Sequence, residues 1–262
     1  MTDRETPAPS PQAPSKVIPV LIALLILGIV GGGTYWWIAG LASAPTPVAD
    51  AGPTVALAQD AGLPPVLPMA DGDVLLRRLA AEGGASAELL GWLGIDGVLR
   101  RVAATIWMLA RGDNPRPVLG FLELNGTFQV REQGNEVFVS EGSYARYDAL
   151  SQALASVDGA RMGEYYLQLR PYFDSAFLEI SSERRFDEIL SQAIARVLAL
   201  PLLEGPIELQ EQGALFRYVD PNLETRPAGE KQLLRFGPQN LARLQGQLRR
   251  FVASAGLEPT LK

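Results

Sequence analysis

The residues best equipped for chemistry fall into two polar groups and one aromatic run. In the first group Arg146 and Asp148 flank Tyr147, a guanidinium and a carboxylate on either side of a phenol. Arg146 could offer a bidentate fork to a carboxylate or a peptide. The alternative ties both charges to helix ends within the core, and that is the default for partly buried ions. The second group is Lys231, Gln232 and Arg235, with Asn240 a short way beyond. On a helix Lys231 and Arg235 share a face, so their charges repel unless acids meet them, and Glu224 and Glu230 are near enough in sequence to do so. Such a face is either paired or a patch for anions. The aromatic run comprises Tyr165, Tyr166, Tyr172, Phe173 and Phe177. Its helical spacing reads as core; the functional alternative makes Tyr166 and Tyr172 the wall of a groove for a partner's side chains.

What is missing restricts chemistry further. The chain has 262 residues with no cysteine and no histidine. Ser-His-Asp catalysis, histidine-ligated zinc, haem held by histidine and thiol chemistry are therefore excluded. No cofactor and no metal are expected. A formal net charge of −6 gives no footprint for nucleic acid. A carboxylate-based enzyme, such as a glycan-cleaving one, needs two acids held at a set separation, and no pattern pairs them here.

The elements that must position these groups can be read from hydrophobic period. Asp71-Gly72-Asp73 resembles a cap for a short helix through Ala81, and Ser86 starts another. A longer helix is predicted from about Asp96 to Arg111, with Leu99, Val102, Ala103, Ile106 and Ala110 at helical spacing, before Gly112-Asp113-Asn114-Pro115. Phe128 and Val130, then Val137 and Val139, alternate with polar residues around Gly134-Asn135, a hairpin whose turn could also take in Gln133. Helical spacing returns from Ser143 to Val157 and again from about Arg161 to Leu178. Pro171 should kink or split that second helix and free the carbonyl of Leu167.

A further helix carries Phe186, Ile189, Leu190, Ile194 and Val197 to its stop at Pro201. Ile207–Leu209 and Leu215–Val219 read as a second strand pair. Asp220-Pro221-Asn222-Leu223-Glu224 has the form of a helix start. Helices at about Gly229 to Phe236 and Pro238 to Ala255 complete the chain. The fold class is mainly α with two small β-hairpins, α+β, in one compact helical domain over residues 71–256.

Upstream, Val17 to Ala39 carries no charged side chain. At about 1.5 Å rise per residue its roughly 21 central residues span about 30 Å, the depth of a bilayer's hydrocarbon core. Arg4 and Lys16 precede it and no Lys or Arg follows until Arg77, which puts the amino terminus in the cytoplasm and the bulk outside. The competing reading is a cleaved signal peptide, with Ala42-Ser43-Ala44 as the cleavage site; the apolar run is long for that, and Pro45 would follow the cut. Gly28 and Gly32 have the spacing that lets two membrane helices pair as a homodimer. Residues 1–16 read as a disordered cytoplasmic tail, 17–39 as the transmembrane helix and 40–70 as an Ala- and Pro-rich linker.

Several motifs together resemble a known family. They are Leu63-Pro64-Pro65, the stretch from Arg101 to Arg111, Tyr144-Ala145-Arg146-Tyr147-Asp148 and Tyr166-Leu167-Gln168-Leu169-Arg170-Pro171-Tyr172-Phe173. The strongest are Tyr218-Val219-Asp220-Pro221-Asn222-Leu223-Glu224 and Lys231-Gln232-Leu233-Leu234-Arg235-Phe236-Gly237-Pro238-Gln239-Asn240. In their order and spacing, over roughly residues 63–252, they resemble a proteobacterial family of membrane-anchored envelope proteins defined by a domain of unknown function (number three thousand and fourteen). The chain departs from the family pattern at Trp107-Met108, where an acidic or amide pair is expected. The resemblance implies a tethered envelope domain and brings no activity with it. The expectation is a single-pass inner-membrane protein, amino terminus cytoplasmic, whose non-catalytic periplasmic module binds an envelope protein or cell-wall component. A structural or oligomeric scaffold is the further alternative.

Overall fold

The computed structural model describes residues 67–122, 126–181, 185–213 and 215–261. The predicted tail, membrane span, its Gly28 and Gly32, and all but the end of the linker lie outside the described residues. Among the described residues no helix is long and apolar enough to cross a membrane.

Helix α1 (Met69–Glu82) begins before its expected cap, directly after Pro68. Asp73 is buried inside it and caps a different helix: its carboxylate accepts from Gly97 N at 2.8 Å and Leu99 N at 3.0 Å, at the start of α3 (Val98–Arg111). That bond replaces the local one anticipated for Asp71-Gly72-Asp73. The end of the predicted linker is likewise part of the fold, since Leu67 N donates to Ser175 Oγ. Between α1 and α3, α2 (Ala87–Leu93) is capped by Ser86, whose hydroxyl accepts from Leu89 N. Helix α3 begins at Val98 rather than Asp96, because Gly97 takes a left-handed conformation (φ 68°) immediately before it.

The hairpin β1 (Val130–Gln133) and β2 (Glu136–Val139) turns on Gly134-Asn135 alone, with Gln133 paired to Glu136. The second hairpin, β3 (Glu208–Gln212) with β4 (Leu215–Tyr218), does not stand apart as expected. Val137 pairs with Leu209 and Phe138 with Glu208, which joins the hairpins into one antiparallel sheet of order β1-β2-β3-β4. Residues far apart in sequence make that join, so no local period reports it.

The helix predicted over Ser143 to Val157 is two: α4 (Glu141–Ala145) and α5 (Asp148–Ala155). Arg146 and Tyr147 lie between the two helices, and both are buried, at 8% and 0% exposure. Helix α6 (Gly159–Leu178), capped by the Asp158 carboxylate, runs through Pro171 without splitting. Pro171 and Leu167 both face solvent, so the carbonyl that Pro171 cannot reach lies on the wet side.

Helix α7 (Phe186–Leu198), the short α8 (Pro221–Glu224), α9 (Ala228–Leu234) and α10 (Pro238–Ala255) complete the fold. Helix α10 lies along α6 with almost no separation: a Cβ on Gly163 would sit 2.5 Å from Ala255 N. Around this pair gathers the aromatic core, with Phe173 stacked on Phe186 at 4.9 Å and Tyr166 edge-on to Phe251 at 5.7 Å. Trp107, at the family departure, closes one side of it against Phe177 at 5.6 Å.

Candidate functional site

A groove of about 1000 Å³ opens where α4, α5, the strand ends, the segment Leu203–Pro206 and the α9–α10 junction meet. Its wall is built on Gly237, which holds φ 83° and ψ 157° between α9 and α10. A Cβ there would lie 2.6 Å from Tyr144 Cγ. Only a residue without that atom lets the Tyr144 ring rest on the backbone, and the same positive φ is strained for any other residue. Pro238 then starts α10 at the position where a missing N–H costs nothing. Burial pushes the Tyr144 phenol up to about 12, with Tyr218 adding to the shift, so it stays a neutral donor and acceptor at any physiological pH.

Asn240 fixes the other side. It is 2% exposed, and its amide nitrogen faces Asp148 Oδ1 at 2.9 Å, Phe236 O at 3.1 Å and Tyr144 O at 3.3 Å. Its oxygen accepts from Arg243 Nη1 at 2.9 Å, and the same nitrogen reaches Ser151 Oγ at 2.7 Å. One amide thus locks α4, α5 and α10 into a single frame. Glu141, Asp148 and Glu204 line the groove as exposed acids, against Arg131 as its base. The groove therefore offers a tyrosine face and a surplus of negative charge, on a wall that the internal bonds of Asn240 hold rigid.

Behind the wall lies a second, buried layer. Tyr147 packs its ring on Phe236 at 4.8 Å, and its hydroxyl accepts from Gln232 Nε2 at 3.1 Å. Arg146 points into the same layer: Nε donates to Ser143 O at 3.1 Å, and the guanidinium lies over Tyr147 at 5.3 Å and Phe128 at 5.7 Å. Arg235 lies over Phe128 too, at 5.8 Å. Burial first, then the like charges of Arg235 and Arg116, lower the Arg146 pKa against the opposing influence of Tyr147. Ser143 joins this layer to the sheet by accepting from Gln129 N at 2.7 Å and donating to Gln129 O at 2.6 Å.

The sequence candidates therefore divide. Asp148 and Asn240 reach the groove, while Arg146, Tyr147, Gln232 and Arg235 form the layer behind it. Lys231 belongs to neither: its ammonium donates to Glu224 Oε1 at 2.6 Å, and Glu224 Oε2 accepts from Tyr218 N at 2.9 Å. That hydrogen bond to Lys231 holds the Glu224 carboxyl below its ordinary range. Glu230, the other acid proposed for Lys231, instead pairs with Arg196 at 3.0 Å and Arg226 at 3.2 Å. It lies on the face of α9 turned toward α7.

The aromatic groove expected at Tyr166 and Tyr172 is not one. Tyr166 is 2% exposed among Phe173, Phe186 and Phe251, and its hydroxyl donates to Asp187, which Arg170 also meets. Burial and the neighbouring Asp187 push that phenol far up. Tyr172 packs where Gly72 of α1 makes room; a Cβ at Gly72 would fall 2.7 Å from its ring. Both positions follow from helical spacing. From the sequence Tyr144 has no role beyond helical spacing and the family motif, and Gly237-Pro238-Gln239-Asn240 reads as helix punctuation first and a recognition loop second. The signal available was Gly before Pro: a residue free to take positive φ, next to one that fixes the helix start.

Helices α1 and α2 precede the part of the chain that a family comparison recognises, yet they pack on it. No curated protein and no solved structure matches the chain. The family model for "Protein of unknown function (DUF3014)" matches residues 98–252, more than half of the sequence, and the chain belongs to that family.

Proposed function

We propose that this chain is a membrane-anchored binding module whose groove receives a segment of an envelope protein or cell-wall component outside the inner membrane. The groove beside Tyr144 carries the proposal. It pairs an aromatic face set on Gly237 with an amide held at every hydrogen-bonding atom, which is the rigid, few-contact design of a recognition site. Its acidic surplus suits a neutral or cationic occupant. The anchor is Val17 to Ala39, for the length and flanking-charge reasons given above.

The alternative of a carboxylate enzyme draws on the three acids of the same groove. All three are exposed, and a general acid needs one carboxyl desolvated enough to stay protonated near neutrality. That favours binding over catalysis.

A photo-crosslinking amino acid at Gln239, exposed on the groove rim, tests the module in the full chain in intact cells. A discrete adduct is expected from position 239 and not from exposed Val74 on α1. Equal adducts from both positions, or none from 239, would discard the groove. Alkaline extraction of membranes tests the anchor separately: the chain should stay with the bilayer, and its release would remove the address.

A further inference from the structure

The layer behind the groove has a charge imbalance that the groove does not explain. Among the described residues, Arg77, Arg100, Arg170, Arg196 and Arg226 each meet an acid. Arg116, Arg146 and Arg235 are among the described arginines that meet no described acid, and unlike exposed ones such as Arg131 they are at least half-buried. Arg146 is the extreme case, 8% exposed, with Nη1 buried and without any hydrogen-bond partner. Glu224, whose charge Arg235 feels, is already bonded to Lys231 and to Tyr218 N.

Leaving a buried guanidinium without a counter-charge is costly, and replacing such a group by an apolar one is commonly stabilising. Two features soften the cost. Arg146 and Arg235 each end a short helix, where carbonyls carry partial negative charge, and both lie over Phe128. Neither satisfies Nη1. At 5.7 and 5.8 Å from the centre of one ring, the two guanidiniums also feel each other's charge, which is unfavourable unless something negative offsets it.

We propose that Arg146, Arg235 and Arg116 form a binding site for a dianionic phosphate group, with Phe128 as the platform that orients the two stacked guanidiniums. Nη1 of Arg146 supplies the inner donor. Arg235 and Arg116, both half-buried, meet the anion as it arrives from solvent. Three positive charges favour a dianion over a carboxylate, which brings one charge, and over a phosphodiester, which also brings one. The site is separate from the groove's proposed occupant, since none of the three arginines lines the groove.

The test measures the unfolding temperature of the full chain at constant ionic strength against rising inorganic phosphate, acetate or dimethyl phosphate. The diester stands for a lipid headgroup, inorganic phosphate for a free ion or monoester. Phosphate should raise the temperature saturably, with acetate and dimethyl phosphate at least about tenfold weaker. Arg235→Gln, at a half-exposed position, should weaken the phosphate response by about tenfold or more. Arg146→Met should abolish the response while leaving the chain at least as stable as its parent in phosphate-free buffer, which separates lost binding from lost folding. No saturable response to phosphate overturns the site. So does a response that acetate or the diester matches, or one that survives both substitutions.

Discussion

The two ends of helix α9 handle arginine in opposite ways. Near its start, Glu230 stands between Arg196 and Arg226, and Arg196 Nε also donates to Ala110 O at 2.8 Å, tying α3, α7 and α9 together. At its end, Arg235 meets the Phe128 ring, the Tyr218 phenol and a second arginine, with Glu224 near enough to feel its charge but out of ion-pair reach. Both regions are enclosed and both are rich in guanidinium. The first is a clamp in which each guanidinium meets an acid, although Arg226 Nε is left without a partner; the second is open, since neither Arg146 nor Arg235 has an acid within ion-pair reach among the described residues. Burial alone therefore does not mark a functional charge. The sign of what surrounds it does.

Removing acids from the closed end should be expensive. Glu230→Ala leaves two partly buried guanidiniums facing one another, and urea unfolding should show a loss of about 3 kcal/mol. A loss below about 1 kcal/mol would mean that the clamp is no more than a surface pair and the contrast fails. Asp187→Asn removes the charge that Arg170 and the Tyr166 hydroxyl share, and about 2 kcal/mol should go with it. Arg146→Met carries the opposite sign at the open end: a gain of about 1 kcal/mol without phosphate. If Arg146→Met destabilises instead, the guanidinium is held by contacts worth more than its desolvation, and the two ends are alike.

The smallest effect comes from pH. Glu224 is depressed chiefly by its hydrogen bond to Lys231, so its unfolded form binds a proton more readily than its folded form. The stability it contributes is present above the unfolded carboxyl range and is lost as pH falls through the lower folded value. At a third exposed, this pair should contribute less than about 1 kcal/mol. Glu224→Gln should flatten the acid limb of the stability profile by that amount; an unchanged limb would assign it to other carboxylates.

Much of this molecule could be read from its residues, and the failures share a cause. Aromatic spacing in α6 marked the core correctly, because a helix face is a local property. The pairing of Lys231 with Glu224 was also local, seven residues apart. Three features were set by distant partners. Asp73 reads as a cap for its own helix but caps α3, 24 and 26 residues further on. The two hairpins read as separate because nothing near Val137 announces Leu209. Arg146 and Tyr147 read as part of one helix because the pull of Phe128 and Phe236 on two successive side chains has no period. The candidate site suffered in the same way: its residues were named, but which faced the groove and which lay behind it depended on the break between α4 and α5.

The bond from Leu67 N to Ser175 Oγ and the reach of Asp73 into α3 have a mechanical consequence. Tension applied to the chain at Leu67 is passed directly to α1. That helix is braced by α6 through Tyr172 and Gly72, and it holds the first amides of α3 in turn. A pull strong enough to peel α1 away would uncap α3 at its entry, while α6 and α10, joined at Gly163, would still grip one another. Under load the molecule has a weak leading edge and a stiff rear, and the groove is mounted on the rear.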